Sequence, residues 1–300
     1  MTGPLRGAIA AAVTPLAERG QRLDESAVGP MLAFLARAGL DGALIGGTTG
    51  EGILLRPEER RRLAEVALRA RPPGFAIAIH AGAQTTADTV ELAAHARDQG
   101  ADAVVVMAPP TFPLDDREVL AHLERAAAAC APVPFYAYEF AARSGYAISP
   151  VVIERLRDRA PNLAGLKVSD PSLEAIETYL VPGLDVFVGS EPLVLAGLER
   201  GASGAVSGLA AAWPNVVAAL VRDRSPLAHD LAVRLRRHLA HTPFHAALKT
   251  VLVARGVLAC GDVRAPLRDL EPEERERVLD LDVEVGEALA QSTWASRQAP

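Results

Sequence analysis

The regular alternation of short apolar runs with longer helical stretches most constrains what this chain can become. Eight runs recur: GAIAAAV (7–13), GALIG (42–46), FAIAIH (75–80), AVVVM (103–107), VPFYAY (133–138), LAGLKV (163–168), DVFVG (185–189) and GAVSG (204–208). Between them lie segments such as RPEERRRLAEVALRA and TADTVELAAHARDQG, whose apolar positions follow helical spacing. Strands that are almost continuously apolar and separated by helices pair in parallel and are covered on both faces. Pro57 followed by Glu58 and Glu59, and Asp170 followed by Pro171, predict helix starts. No GxGxxG follows the first run, where an open dinucleotide-binding sheet would carry it. The pattern predicts the α/β class and a (β/α)8 TIM barrel over residues 1–225. A C-terminal helical unit follows over 226–300, with helices near 226–240, 243–255 and 271–290.

The charge balance narrows the partners. A formal net charge of −6 opposes nucleic acid or an anionic membrane as the main partner. No stretch approaches the length of apolar sequence that a membrane span needs. The apolar run near the N-terminus is short, ends at Pro15 and reads as a first strand rather than a signal segment. Two cysteines, Cys130 and Cys260, give no disulfide framework, and a cytoplasmic location is expected. His238, His241 and His245 are spaced at three and four but interrupted by Pro243, so they are expected to be solvated and no metal site is expected.

In a parallel barrel the chemistry sits at the C-terminal ends of the strands. The polar residues there are Thr48, Thr49, Glu51, His80, Tyr138, Lys167, Ser190, Glu191 and Ser207. Lys167 stands out. Of the 31 Lys and Arg residues only Lys167 and Lys249 are lysine, and Lys167 lies between Leu166 and Val168 in an apolar strand. Burial disfavours an ammonium, and a free amine adds to a ketone to form a Schiff base, which arginine does not do. Lys249 lies in a helical pattern, where a solvated stem is expected. A Schiff-base lysine needs a proton carrier, and Tyr136 and Tyr138 point to the same side of the preceding strand, so periodicity leaves both open. GGTTGE (46–51) offers glycines such as Gly47, backbone N–H groups and two hydroxyls, a combination suited to a carboxylate.

Together these segments resemble the dihydrodipicolinate synthase / N-acetylneuraminate lyase family of class I, pyruvate-handling aldolases. AVTPL (12–16), GGTTGE, LRPEER (55–60), GADAVVVMAPP (100–110), NLAGLKVSD (162–170) and GASGAVSG (201–208) carry the likeness, in the family's order. YEFAARSG (138–145) fits the family's Y-N-x-P-x-x-[ST]-G without a gap. The resemblance implies Lys167 as the imine-forming lysine and Tyr138, rather than Tyr136, as the catalytic phenol. It implies Thr48 and Thr49 on the keto-acid carboxylate, the Val206 carbonyl beside bound pyruvate, Arg143 on a second carboxylate and Glu191 on sugar hydroxyls. No cofactor beyond the covalent imine is implied, and a homotetramer built as a dimer of dimers is.

The sequence departs from the family at Glu139 and Ala141, which replace Asn and Pro; Glu139 is expected to be a solvated loop acid as readily as a site residue. Where many relatives carry a relay tyrosine entering a neighbouring subunit, PPTFP has Thr111 and Phe112. The expected activity is a Schiff-base lyase or aldolase on a 2-oxo acid built from pyruvate and an aldehyde, such as a 2-keto-3-deoxy sugar acid or a sialic-acid-like compound. The alternatives are a 4-hydroxy-tetrahydrodipicolinate synthase, a keto-deoxy sugar acid dehydratase, and a keto-acid-binding regulatory protein without catalysis.

Overall fold

Each of the eight apolar runs becomes a strand of one closed parallel barrel. The computed structural model describes residues 5–298. The strands are β1 (Gly7–Ala11), β2 (Gly42–Ile45), β3 (Ala76–His80), β4 (Ala103–Met107), β5 (Phe135–Glu139), β6 (Leu163–Val168), β7 (Asp185–Val188) and β8 (Gly204–Ser207). Each pairs with its sequence neighbours, and β1 closes the ring by pairing with both β2 and β8, so that Ile9 lies in register with Gly42 and Val206.

The longer helices between strands are α1 (Glu25–Arg37), α2 (Pro57–Arg69), α3 (Thr86–Asp98), α4 (Asp116–Cys130), α5 (Pro150–Arg159), α6 (Leu173–Glu177) and α7 (Val194–Glu199), and a single turn, Ala141–Ser144, follows β5. After β8 come α8 (Pro214–Arg222), α9 (Pro226–Leu239), α10 (Phe244–Ala254) and α11 (Pro272–Gln298). The C-terminal helices thus lie close to their expected bounds. A small hairpin, Leu16–Ala17 with Arg22–Leu23, precedes α1; its two-residue strands are too short to leave a periodic signal.

Local chemistry explains the helix starts. Pro57 occupies the first turn of α2, and Glu59 accepts the Arg56 N–H at 2.9 Å. The start expected at Asp170–Pro171 is displaced: Ser172 caps α6 by accepting the Ala175 N–H at 3.2 Å, because its hydroxyl reaches the third helical amide.

Strand alternation divides the core in two. Ile9, Ala11, Leu44, Ala78, Val105, Tyr136, Tyr138, Phe187 and Val206 fill the barrel interior. Their neighbours, among them Ala10, Ile45, Ile79, Val106, Ala137, Leu166 and Val168, pack against the surrounding helices. Leu166 and Val168 therefore face outward, which turns Lys167 inward.

Candidate active site

Both tyrosines of β5 point into the barrel, but at different levels. The Tyr136 hydroxyl accepts the Leu5 N–H at 3.0 Å and closes the floor, beside Phe187. Tyr138, one pleat higher, pairs in register with Lys167 of β6. The Lys167 side chain is 6% exposed, and its Nζ lies over the Tyr138 ring, 4.1 Å from the centroid. The Tyr138 hydroxyl lies 3.4 Å from Thr48 Oγ1, in the loop after β2. Register thus sets the amine beside the phenol, and the loop after β2 brings the threonine to the phenol's hydroxyl.

These groups line a cavity of about 630 Å³ together with Thr49, Arg143, Val206 and Ser169. A smaller chamber of about 140 Å³ adjoins it and is lined by Gly47, Thr48, His80, Met107 and Arg143. His80 is buried, and its ring stands edge-on to Tyr138. Burial, aided by the charges of Arg60 and Lys167, lowers His80 well below the usual histidine range, so the ring is neutral. Arg60 fixes the strand end beneath it by donating to the carbonyls of His80 at 2.7 Å and Gly82 at 2.9 Å.

The loop carrying Thr48 and Thr49 is anchored from below by the C-terminal helices. Gly46 has φ +68°, where a side chain is disfavoured, and Glu51 adopts φ +57° despite its side chain. Glu51 is buried, paired with Lys249 Nζ of α10 at 2.6 Å, and accepts the Arg264 N–H at 2.6 Å. His245 Nε2 lies 3.0 Å from the Thr48 carbonyl. Lys249 is accordingly 0% exposed and donates to the Asp262 carbonyl at 2.6 Å, which corrects the expectation of a solvated stem. Burial lowers its ammonium below the ordinary value, with Glu51 opposing. The solvated-histidine expectation holds for the exposed His238 and His241 and fails for His245, which lines the large cavity. No group of residues suited to a metal ion occurs among the described residues.

Two further acids differ from expectation. Glu191 is 0% exposed and does not line the cavity. Its Oε1 accepts the Ser207 hydroxyl at 2.6 Å and the Leu209 N–H at 3.0 Å, and its Oε2 pairs with Arg236 Nε at 2.5 Å. Burial pushes this carboxyl up, but Arg236, Ser207 and Leu209 more than offset that and hold it below the usual carboxylate range. Glu191 therefore braces the cavity wall from behind rather than lining it, which corrects the expectation that it faces the substrate. Glu139, at the end of β5, faces away from the barrel axis, is buried, and accepts the N–H groups of Ala141 at 2.8 Å and Ile148 at 2.6 Å. Burial raises it to about 7 against those two donors; it is no solvated loop acid. Among the named site residues, then, Lys167, Tyr138, Thr48, Thr49, Arg143 and Val206 share one cavity, Gly47 lines the adjoining chamber, and Glu191 lies behind the wall.

The C-terminal helices also supply cavity residues that local spacing did not single out: Arg236 and Leu239 of α9, and Phe244 of α10. Only the tertiary packing brings them to the barrel mouth.

The chain is similar to known proteins over nearly its whole length. The dihydrodipicolinate synthetase family model matches residues 4–282. The chain belongs to that family. Its members include a DapA-like lyase of Halobacterium salinarum, 31% identical over 282 residues, spanning 90% of this chain and 91% of the relative. The 4-hydroxy-tetrahydrodipicolinate synthase of Salinibacter ruber is 29% identical over 280 residues, spanning 92% of this chain and 90% of that one. The solved N-acetylneuraminate lyase of Proteus mirabilis superposes with a TM-score of 0.85 at 28% identity, covering 94% of this chain and 99% of that one. Membership in the dihydrodipicolinate synthetase family makes the protein a class I lyase that works through a lysine Schiff base without a cofactor. The non-catalytic alternative is thereby set aside. No helix among the described residues is long and apolar enough to cross a membrane.

Proposed function

We propose that the enzyme cleaves or forms a 2-oxo acid made from pyruvate and an aldehyde, with a 2-keto-3-deoxy sugar acid or a sialic-acid-like compound as the substrate class. The observation carrying this is the buried Lys167 amine stacked on Tyr138, whose phenol neighbours Thr48, all on one cavity.

In the cleavage direction Lys167, as the free amine, adds to C2 of the 2-oxo acid. Tyr138 gives its proton to the departing hydroxyl, and loss of water leaves a protonated imine. The resulting phenolate takes the proton of the C4 hydroxyl as the C3–C4 bond breaks. The bonding pair flows into the imine, giving an enamine and a free aldehyde. A proton returns to C3, and water hydrolyses the imine to release pyruvate and Lys167. Thr48 and Thr49, with the N–H groups of their loop, hold the C1 carboxylate and orient C2. Val206 offers its carbonyl beside the bound three-carbon unit. Arg143, which lines both chambers, keeps condensation of pyruvate with aspartate semialdehyde as the second reading, since it could take a second carboxylate. The family resemblance supports a homotetramer as its assembly.

Borohydride reduction in the presence of pyruvate, followed by peptide mass spectrometry, tests the chemistry. A covalent adduct on the peptide containing Lys167 is expected; its absence overturns the proposal. A pyruvate-release assay over a panel of keto acids then separates sugar-acid lyase, synthase and dehydratase.

A further inference from the structure

We infer that Arg236 is the specificity-determining residue for the far end of the substrate, and that this end carries an anion, either a carboxylate or a phosphate. The inference rests on the Schiff-base reading above and deepens it.

Arg236 reaches the large cavity from α9 and is held on two sides. Its Nε edge is fixed by the buried Glu191 carboxylate, which is itself held by Ser207 and the Leu209 N–H. Its guanidinium face rests on the Phe244 ring, 4.6 Å from the centroid. The Nη1 and Nη2 atoms have no acceptor among the described residues. A guanidinium clamped at one edge and one face presents its remaining end-on edge, with parallel N–H donors, to whatever enters the cavity. Carboxylates and phosphates match that fork with two bonds, and the geometry is organised before the ligand arrives. A neutral hydroxyl uses one donor and leaves the others unpaired.

The rest of the cavity supports a far-end role. The carboxylate of the pyruvate unit has its own partners in the loop holding Thr48 and Thr49, which follows β2, across the ring from β6, whereas Arg236 and Glu191 brace the wall of β7 and β8, the strands that follow β6. Ser190, Pro192 and Gly208 line that wall beside Arg236 and contribute no charge. Arg236 is thus the cation of that wall.

The test is condensation of pyruvate with three aldehydes built on the same three-carbon frame: glyceraldehyde, with a neutral end; tartronate semialdehyde, with a carboxylate end; and glyceraldehyde 3-phosphate, whose anion lies further out. In the wild-type enzyme kcat/KM for at least one anion-ended aldehyde should exceed that for glyceraldehyde by about 10- to 100-fold. The two anionic arms tell carboxylate from phosphate. Because Arg236→Gln alone strands a buried carboxylate, the informative variant is Arg236→Gln with Glu191→Gln, in which the preference should fall to near unity; Arg236→Lys should keep part of it. A wild-type enzyme that prefers glyceraldehyde or treats all three alike overturns the inference, as does a preference that survives in the double variant. Borohydride trapping with pyruvate alone separates the two layers. With an adduct on Lys167 and no preference, only the role of Arg236 falls; without an adduct, the Schiff-base chemistry falls as well.

Discussion

Lys167 Nζ sits over the face of the Tyr138 ring, 4.1 Å from its centroid, and the two residues are register partners on adjacent parallel strands. The contact orients the amine from the barrel interior, while the phenol at the ring's far end meets Thr48. Nucleophile and proton carrier are therefore held by backbone pairing rather than by a mobile loop, which preserves their spacing as substrates enter and leave.

Replacing Lys167 with arginine isolates the chemistry from the charge. The guanidinium retains a cation against Tyr138 and fills similar volume, yet forms no imine. The Lys167→Arg variant is expected to unfold near the wild-type temperature while losing at least about three orders of magnitude in turnover and all borohydride-trapped adduct. Mass spectrometry of the trapped protein, alongside a pyruvate-release assay, checks both parts; measurable turnover without an adduct would remove Lys167 from its role.

Tyr138→Phe keeps the ring beneath Lys167 Nζ and deletes only the phenol. Proton transfer should slow by about 10²–10⁴-fold in kcat, with the Lys167 adduct still trapped after long incubation with pyruvate. Single-turnover measurements of imine formation read this directly. An unchanged kcat would assign proton transfer to another group.

All eight strands were legible in the sequence because parallel strands buried on both faces are largely apolar along their length, and a glycine or proline stands shortly before each of β2 to β8. Lys167 was legible as an exception inside such a run. Glu139 was not, because its partners are the backbone N–H groups of Ala141 and Ile148, which no side-chain pattern displays. Lys249 and Glu191 were not, since each owes its burial to partners far along the chain: Glu51 lies on the loop after β2, far from α10, and Arg236 lies 45 residues beyond Glu191. Arg236 was invisible for the same reason, being one arginine among several on α9 until the fold turns it toward the cavity. Helix starts fell between these cases. The proline at 57 marks α2, whereas the proline at 171 lies ahead of the serine that caps α6.

The buried Glu51–Lys249 pair fastens α10 beneath the threonine loop, and its loss has two readouts. Lys249→Met leaves the Glu51 carboxylate buried without its counter-charge and should cost about 3–5 kcal/mol. Adding Glu51→Gln removes the stranded charge and should recover much of that stability. With the loop less firmly held, KM for the 2-oxo acid should rise more than kcat falls. Urea unfolding of the single and double variants gives the coupling between the two residues, and additive effects would mean the pair contributes nothing as a pair.

Glu139 makes stability depend on pH with a definite sign. Its folded-state value near 7 lies above the ordinary 4.5, so between these limits the folded protein holds a proton that the unfolded chain has released. The contribution of Glu139 to stability therefore falls as pH rises from 4.5 to 7 and levels off above, by at most about 3 kcal/mol. Glutamine at this position does not titrate and keeps one carbonyl oxygen for either the Ala141 or the Ile148 N–H. Urea unfolding of wild type and Glu139→Gln at pH 5 and pH 8 isolates the effect from that of other titrating groups: the stability of the variant relative to wild type should increase from the lower pH to the higher. A constant difference would mean that Glu139 titrates in the ordinary carboxylate range and that its two backbone donors, not burial, govern it. The same residue fastens the segment from Ala141 to Ile148, which carries Arg143, so KM of wild type for substrates that engage Arg143 should shift across this pH window while that of the variant stays flat.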